Sequence, residues 1–191
     1  MDNIFGDTNI DWAETNWVHS QIQGLAGDIV EFGTGSGAST EVYALKFPYR
    51  QLWTIDHFNG LEKSAHAGPT EWQQGVFKFS LEETQKKLAA LGNVHMIVCD
   101  IHKLLHPLAH GIKEVAFANI DVDLYEPTVS ALRFLGLCVW KKIVLRFDDW
   151  HGHEAAFDQH ERLACKEWLD ANGYRYAVAC GGSSGGVIVE R

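Results

Sequence analysis

The chain has 191 residues, 46% of them hydrophobic and 21% charged, with a formal net charge of -9, the composition of one globular domain (1–191) large enough to bury a core without staples. The acidity, with no basic cluster longer than Lys86-Lys87 or Lys141-Lys142, argues against nucleic acid as a partner, because phosphate binding needs a Lys/Arg surface. No apolar run nears the roughly 20 residues that span a bilayer, and the amino terminus lacks a basic region followed by an apolar one, so no membrane contact and a cytoplasmic location are expected.

Asp11-Trp-Ala-Glu14 has the form of a capping box and opens a helix from about residue 12 to 25, within a helical segment 1–26. A strand over 28–32 runs into Gly33-Thr-Gly-Ser-Gly37, and a helix from Ala38 to Phe47 is stopped by Pro48. Leu52 to Ile55 is a second strand, ending at Asp56. Residues 57–79 have no sustained period and carry Gly60, Gly68, Pro69 and Gly75. They form a loop far longer than the usual connection of about 4–6 residues, which reads as a lid with Trp72 and Phe77 as anchors, the alternative for those two being ordinary packing onto the domain. Ser80-Leu-Glu-Glu83 is a second capping box, opening a helix with Leu81, Leu88 and Leu91 as its apolar stripe and Gly92-Asn93 as its stop.

Val94 to Cys99 is the third strand, ending at Asp100. A strand over 115–120, a helix from Pro127 to about Leu135, a strand over 143–147 and a helix ending near Asn172-Gly173 repeat the unit. Strands alternating with helices imply a parallel sheet covered on both faces. Strands 174–180 and 187–190 have only Gly181 to Gly186 between them, so they pair antiparallel. The expected fold is α/β: a Rossmann-like, doubly wound, mostly parallel seven-stranded sheet with a C-terminal antiparallel hairpin, the arrangement of class I methyltransferases. Cys99, Cys138, Cys165 and Cys180 include no C-x-x-C pair. Reduced thiols are expected, with Cys99 and Cys138 buried.

Ligands of doubly wound sheets bind outside the carboxyl ends of the strands, and here those ends are acidic: Glu31, Asp56, Asp100, Asp121 with Asp123, and Asp148 with Asp149. Side chains at Gly33, Gly35 and Gly37 would block a ligand from the backbone. Asp56 follows Gly33 by 23 residues, close to the spacing of about 20 expected of an acid that accepts from both hydroxyls of a cofactor ribose; the alternative is a carboxylate that caps its strand end. Asp100 fits either an adenine contact or the N-cap of a helix over 101–109. Carboxylates converging on one mouth repel each other unless protons or a cation intervene. An oxygen-only set favours a hard divalent ion, Mg²⁺ before Zn²⁺; helix capping and pairing with Arg146 or lysines would also account for it. His151-Gly-His153 and His160 lack the spacing of a metal site, though His151 competes with Asp123 as a base.

The segments Glu31-Phe-Gly-Thr-Gly-Ser-Gly37, Asp56-His-Phe-Asn-Gly-Leu61, Ile120-Asp-Val-Asp-Leu-Tyr-Glu-Pro-Thr128 and Phe147-Asp-Asp-Trp150 together resemble the macrocin-type (TylF-like) sugar O-methyltransferases. Those enzymes use S-adenosyl-L-methionine and a divalent metal. The resemblance implies Asp121, Asp148 and Asp149 as metal ligands and Asp123 as general base. Glu31, Gly33, Gly35, Gly37, Ser39, Asp56 and Asp100 then form the cofactor site. Thr34-Gly35-Ser36 departs from the bulky or basic residue common in that family's first motif, and the segment before the first strand is shorter than in many relatives. The acceptor hydroxyl molecule and a possible homo-oligomer are left open by that shortening. The expected activity is methyl transfer to a hydroxyl of a small molecule, a sugar or glycosylated metabolite. The competing readings are a non-catalytic S-adenosylmethionine- or nucleotide-binding module and an NAD-dependent oxidoreductase.

Overall fold

The computed structural model describes residues 12–66, 72–150, 159–181 and 184–191. Asp11 of the first capping box, and His151 and His153, lie outside the described residues. In chain order the elements are α1 (Trp12–Ile22), β1 (Asp28–Phe32), α2 (Ala38–Lys46), β2 (Leu52–Asp56), α3 (Leu81–Leu88), β3 (Val94–Val98), β4 (Val115–Ile120), α4 (Tyr125–Gly136), β5 (Lys142–Phe147), α5 (His160–Asn172), β6 (Arg175–Gly181) and β7 (Ser184–Glu190). The seven strands form one sheet in the order β3-β2-β1-β4-β5-β7-β6. The first five are parallel, and β7 enters antiparallel between β5 and β6.

Every residue of β4 is buried, as expected for a central parallel strand covered on both faces. Its alternate side chains feed two cores. Ala118 and Ile120 join Val30, Phe32, Leu132 and Phe147 on one face, and Phe117 joins Val18, Ile29, Tyr43 and Val144 on the other. The order reverses between β1 and β4, which opens a crevice at the carboxyl ends of those strands. Behind β1, the Arg50 guanidinium donates to the carbonyls of Leu25 (2.8 Å), Ile22 (3.1 Å) and Gly27, tying the turn after α1 to the end of α2. No described helix is long and apolar enough to cross a membrane.

Boundaries differ from the sequence expectation in several places; α1 ends at Ile22 and α3 at Leu88, each a few residues early. α4 starts at Tyr125, so Pro127 sits inside its first turn, where the missing N–H would have had no intrahelical partner. Residues 101–109 form two short 3₁₀ turns, Ile101–Lys103 and Pro107–His110, where one helix had been an alternative. The hairpin glycines are also used differently. Gly185 and Gly186 lie within β7, opposite Phe147 and Arg146. A Cβ on Gly185 would fall 2.1 Å from the Trp150 ring, and one on Gly186 2.3 Å from the Trp17 ring. Two indoles therefore rest on a strand stripped of side chains. Cys138 and Cys165 are buried free thiols, whereas Cys99 is half-exposed, against expectation; burial pushes the Cys138 thiol up to about 12.

At the crevice the backbone itself leaves no slack. Gly33 has φ 90° and donates to the Ile55 carbonyl at 2.9 Å, and a Cβ there would sit 1.8 Å from the Asp121 carbonyl oxygen. Gly33→Ala is expected to destabilise the protein by about 3 kcal/mol or more, read as a lowered urea midpoint. A midpoint within experimental error of the parent's would show that the β1 and β4 ends have room to part.

Candidate active site

The crevice holds a cavity of about 510 Å³, with the glycine turn on one wall and the acids after β4 and β5 on another. Gly33, Gly35 and Ser39 line it. Gly37 does not: in the left-handed region at the N-cap of α2, it faces the Leu88 side chain. Asp56 fixes the turn from β2. Its Oδ2 accepts from the Gly35 N–H (2.9 Å) and its Oδ1 from the Phe58 N–H (2.7 Å). A carboxylate has about four lone-pair sites, so two remain for ligand hydroxyls in the cavity that Asp56 lines.

Glu31 lies beneath this floor, fully buried. Its carboxylate accepts from the hydroxyls of Thr40, Thr54 (2.8 Å) and Ser39 and from the Asn119 amide (3.1 Å). Ser39 carries this contact to the cavity surface. Asn119 in turn accepts from Arg146 Nη1 (2.9 Å), and Arg146 Nη2 donates to Asp148 Oδ1 (2.5 Å) and the Ser184 hydroxyl (3.0 Å). These residues occupy one row of the sheet: Thr54 is opposite Glu31, Glu31 opposite Asn119, and Asn119 opposite Arg146. Arg146, on an otherwise apolar strand, is 2% exposed and is the cation of that row.

Asp121, Asp123, Asp148 and Asp149 all line the cavity. Asp123 is held at φ 60°, a conformation that costs a non-glycine residue free energy and tends to mark functional sites. Burial, then the charges of Asp148 and Asp123, push the Asp121 carboxyl well above the usual range; burial, then Asp149, do the same to Asp123. The oxygen-only donor set suits a hard cation in its chemistry. As the side chains stand, no three His, Cys, Asp or Glu residues among those described are gathered to hold a metal ion. Asp100 is placed elsewhere. It caps the first 3₁₀ turn through the His102 N–H (3.0 Å) and pairs with Lys103 (2.9 Å), a hydrogen bond that lowers its pKa, and it lines an adjoining depression instead of the main cavity.

Sequence reasoning missed two carboxylates. Glu161, buried in the first turn of α5, accepts from the backbone N–H groups of Val122 and Asp149, both at 3.2 Å. It thereby holds the loops after β4 and β5 to each other; no motif or spacing links it to them. Glu126, in the first turn of α4, accepts from the Ser64 hydroxyl (2.8 Å), the Ala65 N–H (2.9 Å) and the His66 ring. Its place within the Asp-x-Asp-Leu-Tyr-Glu segment was a usable signal. Beside it, His102 bridges Glu62 (2.8 Å) and Ser130 (2.7 Å). Residues 61–66 of the long loop are thus fastened to α4, and Leu61 and Glu62 form cavity wall. Trp72 also lines the cavity and stacks edge-on against His160 at 5.1 Å, while Phe77 lines it with 48% of its surface exposed.

Glu126→Ala is expected to lower the hydrogen-exchange protection of the Ala65 amide at least about tenfold, since hydrogen bonds to a charged group contribute about 1.5–3 kcal/mol; unchanged protection would show the loop is held by other means. Burial raises the Glu31 pKa above 4.5 despite its hydrogen bonds, so the folded state binds that proton more tightly than the unfolded chain. The resulting stability is complete below pH 4.5 and is lost as pH rises through the raised folded value. Urea midpoints across that window should show the parent losing ground to Glu31→Gln as pH rises; a constant difference would mean that Glu31 does not titrate there.

No protein-family model matches the chain, and no curated protein matches it by sequence. Solved structures do match by fold. The O-methyltransferase NovP superposes with a TM-score of 0.73 at 20% identity, over 93% of this chain and 79% of its own. The calicheamicin methyltransferase CalS11 gives 0.72 at 19% identity, over 93% and 77%; an apo structure names it a TDP-rhamnose 3'-O-methyltransferase. A structure named as a putative caffeoyl-CoA O-methyltransferase from Staphylococcus aureus gives 0.63 at 14%, over 95% and 85%. The chain has the class I methyltransferase fold.

Proposed function

We propose that the protein is an S-adenosyl-L-methionine-dependent O-methyltransferase that acts on a hydroxyl of a small molecule, a sugar or glycosylated metabolite. The observation that carries this reading is that one cavity has a glycine turn braced by Asp56 on one side and Asp121, Asp123, Asp148 and Asp149 on the other. The first wall suits an adenosine-bearing methyl donor and the second suits a hydroxyl that must lose a proton. An oxidoreductase would leave the second wall without a task.

The chain's own residues supply positioning and proton transfer. Asp56 offers its two remaining lone pairs to ribose hydroxyls, and Gly33 and Gly35 let the donor approach the backbone. Trp72, Phe77 and Phe79 give apolar walls for the carbon face of an acceptor. Asp123 takes the proton of the acceptor hydroxyl as that oxygen displaces the sulfide at the methyl carbon. A carboxyl whose pKa is pushed up towards the working pH is a stronger base than an ordinary aspartate, and the Asp123 shift is in that direction. Aligning the reacting atoms can itself contribute roughly 7–11 kcal/mol. Asp121, Asp148 and Asp149 would hold a hard divalent cation, Mg²⁺ first. Bound there, the ion would lower the pKa of the acceptor hydroxyl.

Calorimetric titration with S-adenosylmethionine and with NAD tests the cofactor: binding of the former alone is expected, and NAD binding alone would replace the proposal. Asp123→Asn is expected to lower kcat about 10²–10⁴-fold, the usual size of a general-base contribution, with S-adenosylmethionine affinity retained. Millimolar Mg²⁺ should raise the thermal midpoint of the parent and leave that of Asp121→Asn unchanged; no shift in either removes the metal.

A further inference from the structure

Beyond the end of β4 the chain makes a strained turn at Val122, Asp123 and Leu124. The Leu124 N–H donates to the Val122 carbonyl (2.5 Å), with Asp123 between them at φ 60°. A hydrogen bond spanning one residue of positive φ is the rare, strained form of the γ-turn. Asp123 has a Cβ, so the strain is not relieved as it would be in glycine. Such a conformation persists only where the surrounding structure over-determines it.

Both ends of the turn are fixed. The Asp121 N–H donates to the Phe32 carbonyl of β1 (2.9 Å), and the Leu124 carbonyl accepts from the Thr128 N–H (3.2 Å) and hydroxyl (2.7 Å). These bonds set where the chain enters and leaves. Within the turn, the Val122 N–H donates to Glu161 Oε1 at 3.2 Å. Glu161 Oε2 accepts from the Asp149 N–H, also at 3.2 Å.

An acid in the first turn of a helix ordinarily serves the positive end of its own dipole. Glu161 is instead 0% exposed, and its two oxygens go to two other segments. Burying a carboxyl costs free energy that an apolar side chain would avoid, so packing alone does not call for a glutamate there. The two segments carry the carboxyls of Asp123 and Asp149, which line the cavity and meet in a side-chain hydrogen bond. One buried acid behind the cavity wall thus fixes the backbone on which both carboxyls stand.

We propose that Glu161 is the positioning residue for the base: it holds the turn from Val122 to Leu124 so that the Asp123 carboxyl meets the acceptor hydroxyl. The proposal rests on the reading of Asp123 as general base of a methyl transfer. Misplacing a reacting group by about 1 Å can lower a rate about 10²-fold, so Glu161 governs kcat from behind the wall.

Two measurements on the full chain test this. In Glu161→Ala, hydrogen exchange should show the Val122 and Leu124 amides losing protection about tenfold, while the Asp121 amide, held by Phe32, keeps its own. Equal loss at all three amides would mean general loosening, and no loss would mean a turn that holds itself; either overturns the proposal. In the kinetic measurement, methyl transfer from S-adenosylmethionine to methyl rhamnoside should fall about 10²-fold in kcat for Glu161→Ala, with the KM for S-adenosylmethionine unchanged. Glu161→Gln, whose single carbonyl can serve one of the two amides, should fall between Glu161→Ala and the parent.

Added to Asp123→Asn, Glu161→Ala should lower kcat little further, as for residues that act as a unit. A second loss of about 10²-fold would show that Glu161 acts apart from Asp123 and overturn the proposal. Leu169→Ala, a core change in the same helix, should lower the thermal midpoint and leave kcat unchanged; a matching fall in kcat would make the effect one of helix stability and also overturn it. If the parent transfers no methyl to the glycoside, the acceptor class proposed above fails, and hydrogen exchange still decides whether Glu161 holds the turn.

Discussion

A single buried polar row, Thr54, Glu31, Asn119 and Arg146, runs sideways through four parallel strands and ends on Asp148 and Ser184. Placing a glutamate and an arginine in a sheet interior costs several kcal/mol per ion unless both are hydrogen-bonded. Asn119 links them by donating to Glu31 and accepting from Arg146, whose charge is met directly by Asp148. The row is tied to strand register. A slip of one residue in β4 would turn Asn119 to the opposite face and break the link between Glu31 and Arg146. Register, burial and the position of Asp148 are thus one constraint, and the apolar residues on either side pack around it.

Both walls of the cavity share one physical device. In each, a carboxylate accepts from backbone N–H groups of two separate segments and so fixes their separation. Asp56 does this for the glycine turn and the start of the long loop, and Glu161 for the loops after β4 and β5. Backbone amides move only with their chain, so such anchors hold a site more firmly than side-chain pairs. Preorganisation of this kind lets a site favour its transition state with little rearrangement at the moment of reaction.

The sheet was legible because its signals are local: apolar runs of strand length, capping boxes, glycine stops, and a missing helix before the last strand. The acids at the strand ends were legible too, since topology alone gathers them at one mouth. What escaped the sequence depends on contacts across the fold. Glu161 lies far along the chain from Val122, and nothing near it in sequence marks a partner. Asp100 had two readings because an acid at a strand end either caps the next turn or meets a ligand; Lys103 beside it tips the balance toward capping. Gly185 and Gly186 were read as turn residues, for composition reports that a side chain is missing without saying whether a bend or a neighbouring ring requires the gap.

The two indoles on β7 bear on how the protein is made. Trp150 directly follows Asp149, and its ring is seated on Gly185, while Ser184 holds Arg146 and through it Asp148. β7 also has to enter between β5 and β6. The five parallel strands are complete in sequence by residue 147, yet Arg146 lacks its Ser184 partner and Trp150 its seat until β7 has left the ribosome and inserted. During vectorial synthesis the nascent chain thus has a sheet before it has a site. A molecule stalled or trimmed short of β7 would leave Trp150 and Arg146 without their β7 partners and present an uncovered β5 edge, the feature by which quality control would recognise it.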